Sequence, residues 1–172
     1  RGAAVRALQD VPGPRAARIA LDFLRGAPTG LQAVLAAHVL GGNERNDPAI
    51  TDGLAEVLAS SRDSEVRLAS LRSLSRRTGG SEWSILLEVA WRASEPEAIR
   101  IAAVEGLASV AGPEDSITDH LRALSREDSP GVAEAASEGL TQRTTENALA
   151  LVRCADSEGP TGTEERAGGT SR

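Results

Sequence analysis

Val66-Arg67-Leu68-Ala69, Ile99-Arg100-Ile101-Ala102 and Val132-Ala133-Glu134-Ala135 open three stretches that run on to Leu74, Leu107 and Leu140. Opening and closing residues both step by 33. Followed backwards, the closing leucine reaches Leu40 and then Leu8. Between these stretches lies a second series, Leu21, Leu54 and Leu87, with Leu24, Leu58, Trp91 and Leu124 beside it at steps of 33 or 34. Two interleaved series mean two elements per repeat. A fixed period of about 20 to 50 residues marks a chain whose units bury their apolar faces only against their neighbours.

Both elements read as helices. Val66, Leu71 and Leu74 fall in one arc when residues are set about 100° apart, and Ile99, Val104 and Leu107 repeat it. Asp63-Ser64, Ser94-Glu95-Pro96 and Asp128-Ser129-Pro130 supply caps or first-turn prolines, while Gly79-Gly80 and Gly112-Pro113 stop the second helix of a unit. The expected first helices lie near 14–25, 47–60, 81–93 and 114–126. The expected second helices lie near 3–9, 29–40, 64–77, 96–110 and 130–142, with a last helix at 144–155. The fold class is therefore all-α, a solenoid of about five antiparallel hairpins over residues 1–155. Residues 156–172, rich in Gly, Ser, Thr and Glu without apolar periodicity, read as a disordered tail.

Asp63-Ser64-Glu65-Val66-Arg67-Leu68-Ala69-Ser70-Leu71 resembles the opening of the second helix in HEAT repeats, and Glu97-Ala98-Ile99-Arg100-Ile101-Ala102-Ala103 resembles the short bacterial variety related to phycobilisome lyase repeats. The unit at Asp128-Ser129-Pro130-Gly131-Val132 keeps the spacing but has Ala133 in place of Arg, and the first two units match by period alone. Arg67 and Arg100 both lie within the apolar arc, where an unpaired guanidinium would be costly. The resemblance implies a structural ladder of acids and arginines tying hairpin to hairpin, with Asp63, Arg67, Glu97 or Glu95, and Arg100 as its members. Ala133 removes one rung, so the last unit is expected to be the loosest. Ankyrin repeats share the period, but no T-P-L-H stretch occurs, and tetratricopeptide repeats need aromatics this chain lacks.

The 172 residues are 40% hydrophobic but only 2% aromatic, with Trp83, Trp91 and Phe23 as the whole aromatic set. Methyl and methylene packing must build the core, which argues against base-stacking platforms and ring-lined cofactor pockets. Every basic residue is Arg, and Met is absent, so the chain is expected to start at the cut edge of a longer protein; a signal removed upstream stays open. No apolar run is long enough for a membrane span, and a cytoplasmic location is the working expectation. The net charge of -6 is uneven: residues 1–79 carry 11 Arg against 8 acids, and residues 80–172 carry 8 Arg against 17 acids. A sequence-independent nucleic-acid binder wants a continuous positive surface, so nucleic acid is a poor partner. One cysteine, Cys154, with His38 and His120, supplies neither a disulfide nor a metal set, and no cofactor is implied.

Arg62, Arg72, Arg76 and Arg77 cluster about one second helix; a solvated polar face explains them better than a phosphate grip. Trp83, Ile85, Leu86, Leu87, Val89, Ala90 and Trp91 make one helix apolar nearly all round, either a mid-stack helix or a ridge exposing one Trp to a partner. No nucleophile elbow, zinc-protease helix or phosphate loop is present, so no catalytic residue is assigned. The first functional expectation is a non-enzymatic binding module for a protein or peptide. Its surface would be the concave face made by successive second helices, with Arg72 and Arg76, Glu105 and Ser109, Glu138 and Gln142 at its outward positions, turning from positive to negative, and Trp83 and Trp91 as added contacts. The alternatives are an enzyme of the kinds the resemblance allows, a bilin lyase or isomerase or an alkylpurine DNA glycosylase, or the regulatory arm of a larger protein.

Overall fold

The computed structural model describes residues 13–26, 29–42, 47–77, 80–110 and 114–157. They form eight helices and, among the described residues, no strand: α1 Pro14–Arg25, α2 Leu31–Gly41, α3 Pro48–Ser60, α4 Ser64–Ser75, α5 Glu82–Trp91, α6 Glu97–Ser109, α7 Glu114–Leu124 and α8 Pro130–Ser157. The expected helix at 3–9 and the tail beyond Ser157 lie outside the described residues, which thus hold four helix pairs of the five expected.

Local chemistry sets the starts. Pro14, Pro48 and Pro130 each open a helix, where a missing N–H costs nothing. Asp47 accepts from Ala49 N at 3.0 Å, and Asp63 accepts from Glu65 N and Val66 N at 3.0 and 3.4 Å. Such caps satisfy amides that the first turn leaves open.

Each helix packs on the next within its pair, α1 on α2, α3 on α4, α5 on α6 and α7 on α8. The second helices also pack in succession, α2 on α4, α4 on α6 and α6 on α8. Leu40, Leu74 and Leu107 are fully buried along that series, as are Leu54, Leu86 and Leu121 on the first helices, joined by Ala20, Ala36, Ala37, Ala90 and Ala103. Alanine and leucine thus fill the core, as the near absence of aromatics requires.

Small residues let the second helices approach closely. A Cβ on Gly41 would stand 2.8 Å from Ser73 Cα, one on Gly106 would stand 3.2 Å from Ser75 Cβ, and one on Gly139 would stand 2.9 Å from Ala108 Cβ. Ser73 also donates to the Ala37 carbonyl at 2.7 Å. The three contacts join residues 32, 31 and 31 apart, so each second helix meets the next at nearly the same height.

Two expectations about helix extent need correction. The helices expected at 130–142 and 144–155 are one helix, α8, which also takes in Asp156 and Ser157. No Gly or Pro interrupts the chain between Gly139 and Gly159, and the hydroxyls of Ser137, Thr141, Thr144 and Thr145 bond back to the carbonyls four residues earlier instead of breaking the turn. The first-helix register also slips. The buried positions run Leu21, Leu54, Leu86, Leu121 and Leu24, Val57, Val89, Leu124, so α5 sits one residue off the constant step that groups Leu87 and Trp91 with them.

Candidate binding face and its supporting ion pairs

The slip in α5 explains the two tryptophans. Trp91 falls outside the buried stripe and is 40% exposed, while Trp83 is half-buried against the core. The stripe position that Ile50 and Ile117 occupy is taken in α5 by Glu82, which is only 1% exposed. This acid has a matching cation: Arg77 Nε lies 3.4 Å from Glu82 Oε1 and donates to Thr51 Oγ1 at 3.0 Å. Thr51 in turn donates to Glu82 Oε1 at 2.8 Å, Ser81 N donates to Glu82 Oε2 at 3.1 Å, and Arg77 Nη2 donates to the Asp47 carbonyl at 3.0 Å. Burial pushes the Glu82 carboxyl upward, but the Thr51 hydroxyl, the backbone amides and the Arg77 charge outweigh it and hold the pKa below the ordinary value. Arg77, grouped with a solvated arginine face on sequence grounds, is therefore a core residue at 3% exposure.

The ladder arginines form cross-hairpin contacts, but with acids of the following hairpin and not with those just before them in sequence. Arg67 donates through Nε to the Leu58 carbonyl at 2.9 Å and through Nη2 to Glu95 Oε2 at 2.5 Å. Arg100 repeats the arrangement, Nε to the Ala90 carbonyl at 2.8 Å and Nη2 to Glu127. Each guanidinium thus caps the end of its own hairpin's first helix and reaches an acid in the turn between the two helices of the next hairpin. Asp63 does not receive Arg67. It receives Gly30 N at 2.8 Å besides its own helix amides, and Gly30, at φ 74°, adopts a backbone that glycine tolerates best. The Gly30 amide lowers the Asp63 pKa most; desolvation opposes it, and the Glu65 and Val66 amides add to the lowering. Glu97 receives the Ser129 hydroxyl at 2.6 Å.

Arg143 was not singled out from the sequence. It is buried, donates through Nη1 to the carbonyls of Leu107, Ala108 and Val110 at 3.1, 3.2 and 3.3 Å, and grips Glu114 with Nε and Nη2. It closes the C-terminal end of α6. It also ties α8 to that end, so the rung absent at Ala133 has a substitute ten residues later. The available signal was spacing: Arg143 lies two 33-residue steps beyond Arg77, and each reaches back to the start of an earlier first helix.

Other charges lie in a row at equivalent positions of successive second helices. Arg72, Arg76, Glu105, Ser109, Glu138 and Gln142 are all exposed on α4, α6 and α8. Among the described residues none of Arg72, Arg76, Glu105 or Glu138 enters an ion pair, whereas Arg25, Arg67, Arg77, Arg92, Arg100, Arg122 and Arg143 all do. His38 on α2 joins the basic end of this face: burial first, then the charges of Arg76 and Arg72, lower its pKa. Trp91 and Trp83 lie on a first helix, so they are not part of this row. Among the described residues no cluster of three or more His, Cys, Asp or Glu could hold a metal, and no helix is long and apolar enough to cross a membrane.

Compared with known proteins, the chain matches no family model, and no curated protein and no solved structure is significantly similar to it.

Proposed function

We propose that the chain is a short HEAT-like α-solenoid that acts as a non-enzymatic binding module, and that it engages a protein or peptide through the exposed row on its second helices. The successive packing of α2, α4, α6 and α8 supports the solenoid reading, as does the recurrence of the Arg67 contacts at Arg100. Stacked hairpins of this kind offer an extended surface made by equivalent positions of neighbouring units. The observation that carries the function is the order of charge at equivalent positions of successive second helices: Arg72, Glu105 and Glu138 stand 33 residues apart, with Arg76 one turn beyond Arg72, and all four are exposed.

Exposed charges of ordered sign steer encounter and set orientation more than they add affinity. The test is the double variant Arg72→Glu/Arg76→Glu. Capture of the partner from extracts of the source cells should weaken, and the salt dependence of what remains should flatten or reverse. Unchanged capture with unchanged salt dependence would exclude this face.

A further inference from the structure

The order of charge along the second helices suggests a partner for this face. The basic half comes first, Arg72 on α4 and Arg76 at its end, and the acidic half follows, Glu105 on α6 and Glu138 on α8. A purely acidic ligand would satisfy only one half of such a row, and a purely basic ligand only the other. A matching partner must itself be bipolar, with its order reversed. A second copy of this chain, turned by 180° about an axis parallel to the helices, presents that order. We propose that two copies dock face to face about a two-fold axis running between α4 and α6, so that Arg72 of each copy meets the partner's Glu105.

This inference rests on the reading of the second-helix row as the binding face, and adds the identity of the occupant and its register. The heights agree. The contacts of Gly41 with Ser73, Ser75 with Gly106 and Ala108 with Gly139 join residues 31 or 32 apart, so residues 33 apart lie within about 1.5–3 Å of a common level. An axis parallel to the helices preserves that level while reversing the order of the stack. Arg72 then lies over the partner's Glu105. One turn earlier, half-buried Leu68 lies over the partner's Ile101, which gives the charged pairs an apolar neighbour. The two-fold repeats each contact, as an isologous interface requires.

Four helices about 9 Å apart and about 17 Å long present on the order of 500 Å² per copy, the scale of a reversible rather than a permanent dimer.

Sedimentation velocity over a wide concentration range tests the register with three proteins: wild type, Arg72→Glu and Glu105→Arg. The wild type should show a monomer–dimer equilibrium. Each variant alone sets like charges against each other at both symmetry-related contacts and should dimerise at least about tenfold more weakly. An equimolar mixture of the two restores opposite charges at both contacts, and should dimerise within about threefold of wild type.

A wild type that stays monomeric throughout overturns the dimer. It leaves the binding-face reading to the Arg72→Glu/Arg76→Glu capture experiment. Variants that dimerise as well as wild type place any association elsewhere, and a mixture no better than either variant alone overturns the two-fold register. All the substituted positions are exposed, and unchanged melting curves show that the variants fold.

Discussion

Glu82 occupies a place in the first-helix core stripe where the neighbouring units put isoleucine, and Arg77 meets it there with Nε 3.4 Å from Oε1. An acid and a base have replaced a hydrocarbon contact at the centre of the helix packing. They join α3, the end of α4 and the start of α5 through Thr51, Asp47 and Ser81. A buried pair of this kind is a weak source of net stability but is costly to break.

Removing one partner is therefore expected to be severe. Arg77→Met should lower the unfolding free energy by about 3–5 kcal/mol, because it strands the Glu82 charge. Glu82→Gln should cost less at neutral pH. Its difference from wild type should also shrink with acid: the folded pKa of Glu82 is lowered, so the stabilisation is complete above the unfolded carboxyl value of about 4.3 and is lost as pH falls through the folded value. Urea unfolding of both proteins at neutral pH and in acid checks this. An equal gap at the two pH values would contradict it.

The close approach of the second helices makes another prediction. Alanine is ordinarily the better helix former by about 0.5–1 kcal/mol. At Gly139 the added methyl meets Ala108 Cβ at 2.9 Å, and overpacking costs about 1–3 kcal/mol, so Gly139→Ala should lower Tm. Gly41→Ala should also lower it, since it drives a Cβ against the backbone of Ser73. A rise in Tm for either variant would mean that the helices are not held at this spacing.

Arg143 should govern how firmly α8 is attached. Arg143→Met leaves the Leu107, Ala108 and Val110 carbonyls without this donor and takes the guanidinium from Glu114, and is expected to cost about 2–4 kcal/mol. Amide exchange should quicken most over the end of α6 and over α8, and least over α1 and α2. Uniform acceleration along the chain would indicate that the residue acts on global stability alone.

How much of this was legible beforehand depends on what a constant period can carry. The step of 33 separates helices correctly wherever one leucine marks each turn, as Leu74 and Leu107 do. It misleads in α5, where Leu86 and Leu87 are adjacent and either could continue the series. Burial favours Leu86, and the one-residue slip turns Trp91 outward and Glu82 inward. The arginines inside the apolar arc could be recognised as needing satisfaction, but their acids, Glu95 and Glu127, are 28 and 27 residues away and depend on how hairpins dock. Arg77 looked like its neighbours Arg72 and Arg76 because the sequence does not show where α4 ends. The exposed row at Arg72, Arg76, Glu105 and Glu138 was readable because it depends only on helical periodicity within units of equal length.

The basic end of that row can be probed without any partner. His38 should titrate below its ordinary value, since burial, Arg76 and Arg72 all disfavour its charged form. Neutralising both arginines, in Arg72→Gln/Arg76→Gln, should raise its pKa towards, but not up to, the ordinary value of about 6.5, because burial persists. NMR titration of the imidazole protons gives the answer, and an unmoved pKa would separate His38 from this face.

The claim that the second helices form the recognition surface is tested most directly by carboxylate labelling read by mass spectrometry, on the protein alone and in complex with whatever it binds. Glu105 and Glu138 should lose reactivity in the complex, while Asp22, Asp52 and Asp115, exposed on the first helices, keep theirs. Protection of the first-helix acids with Glu105 and Glu138 unchanged would place recognition on the opposite layer and contradict the account.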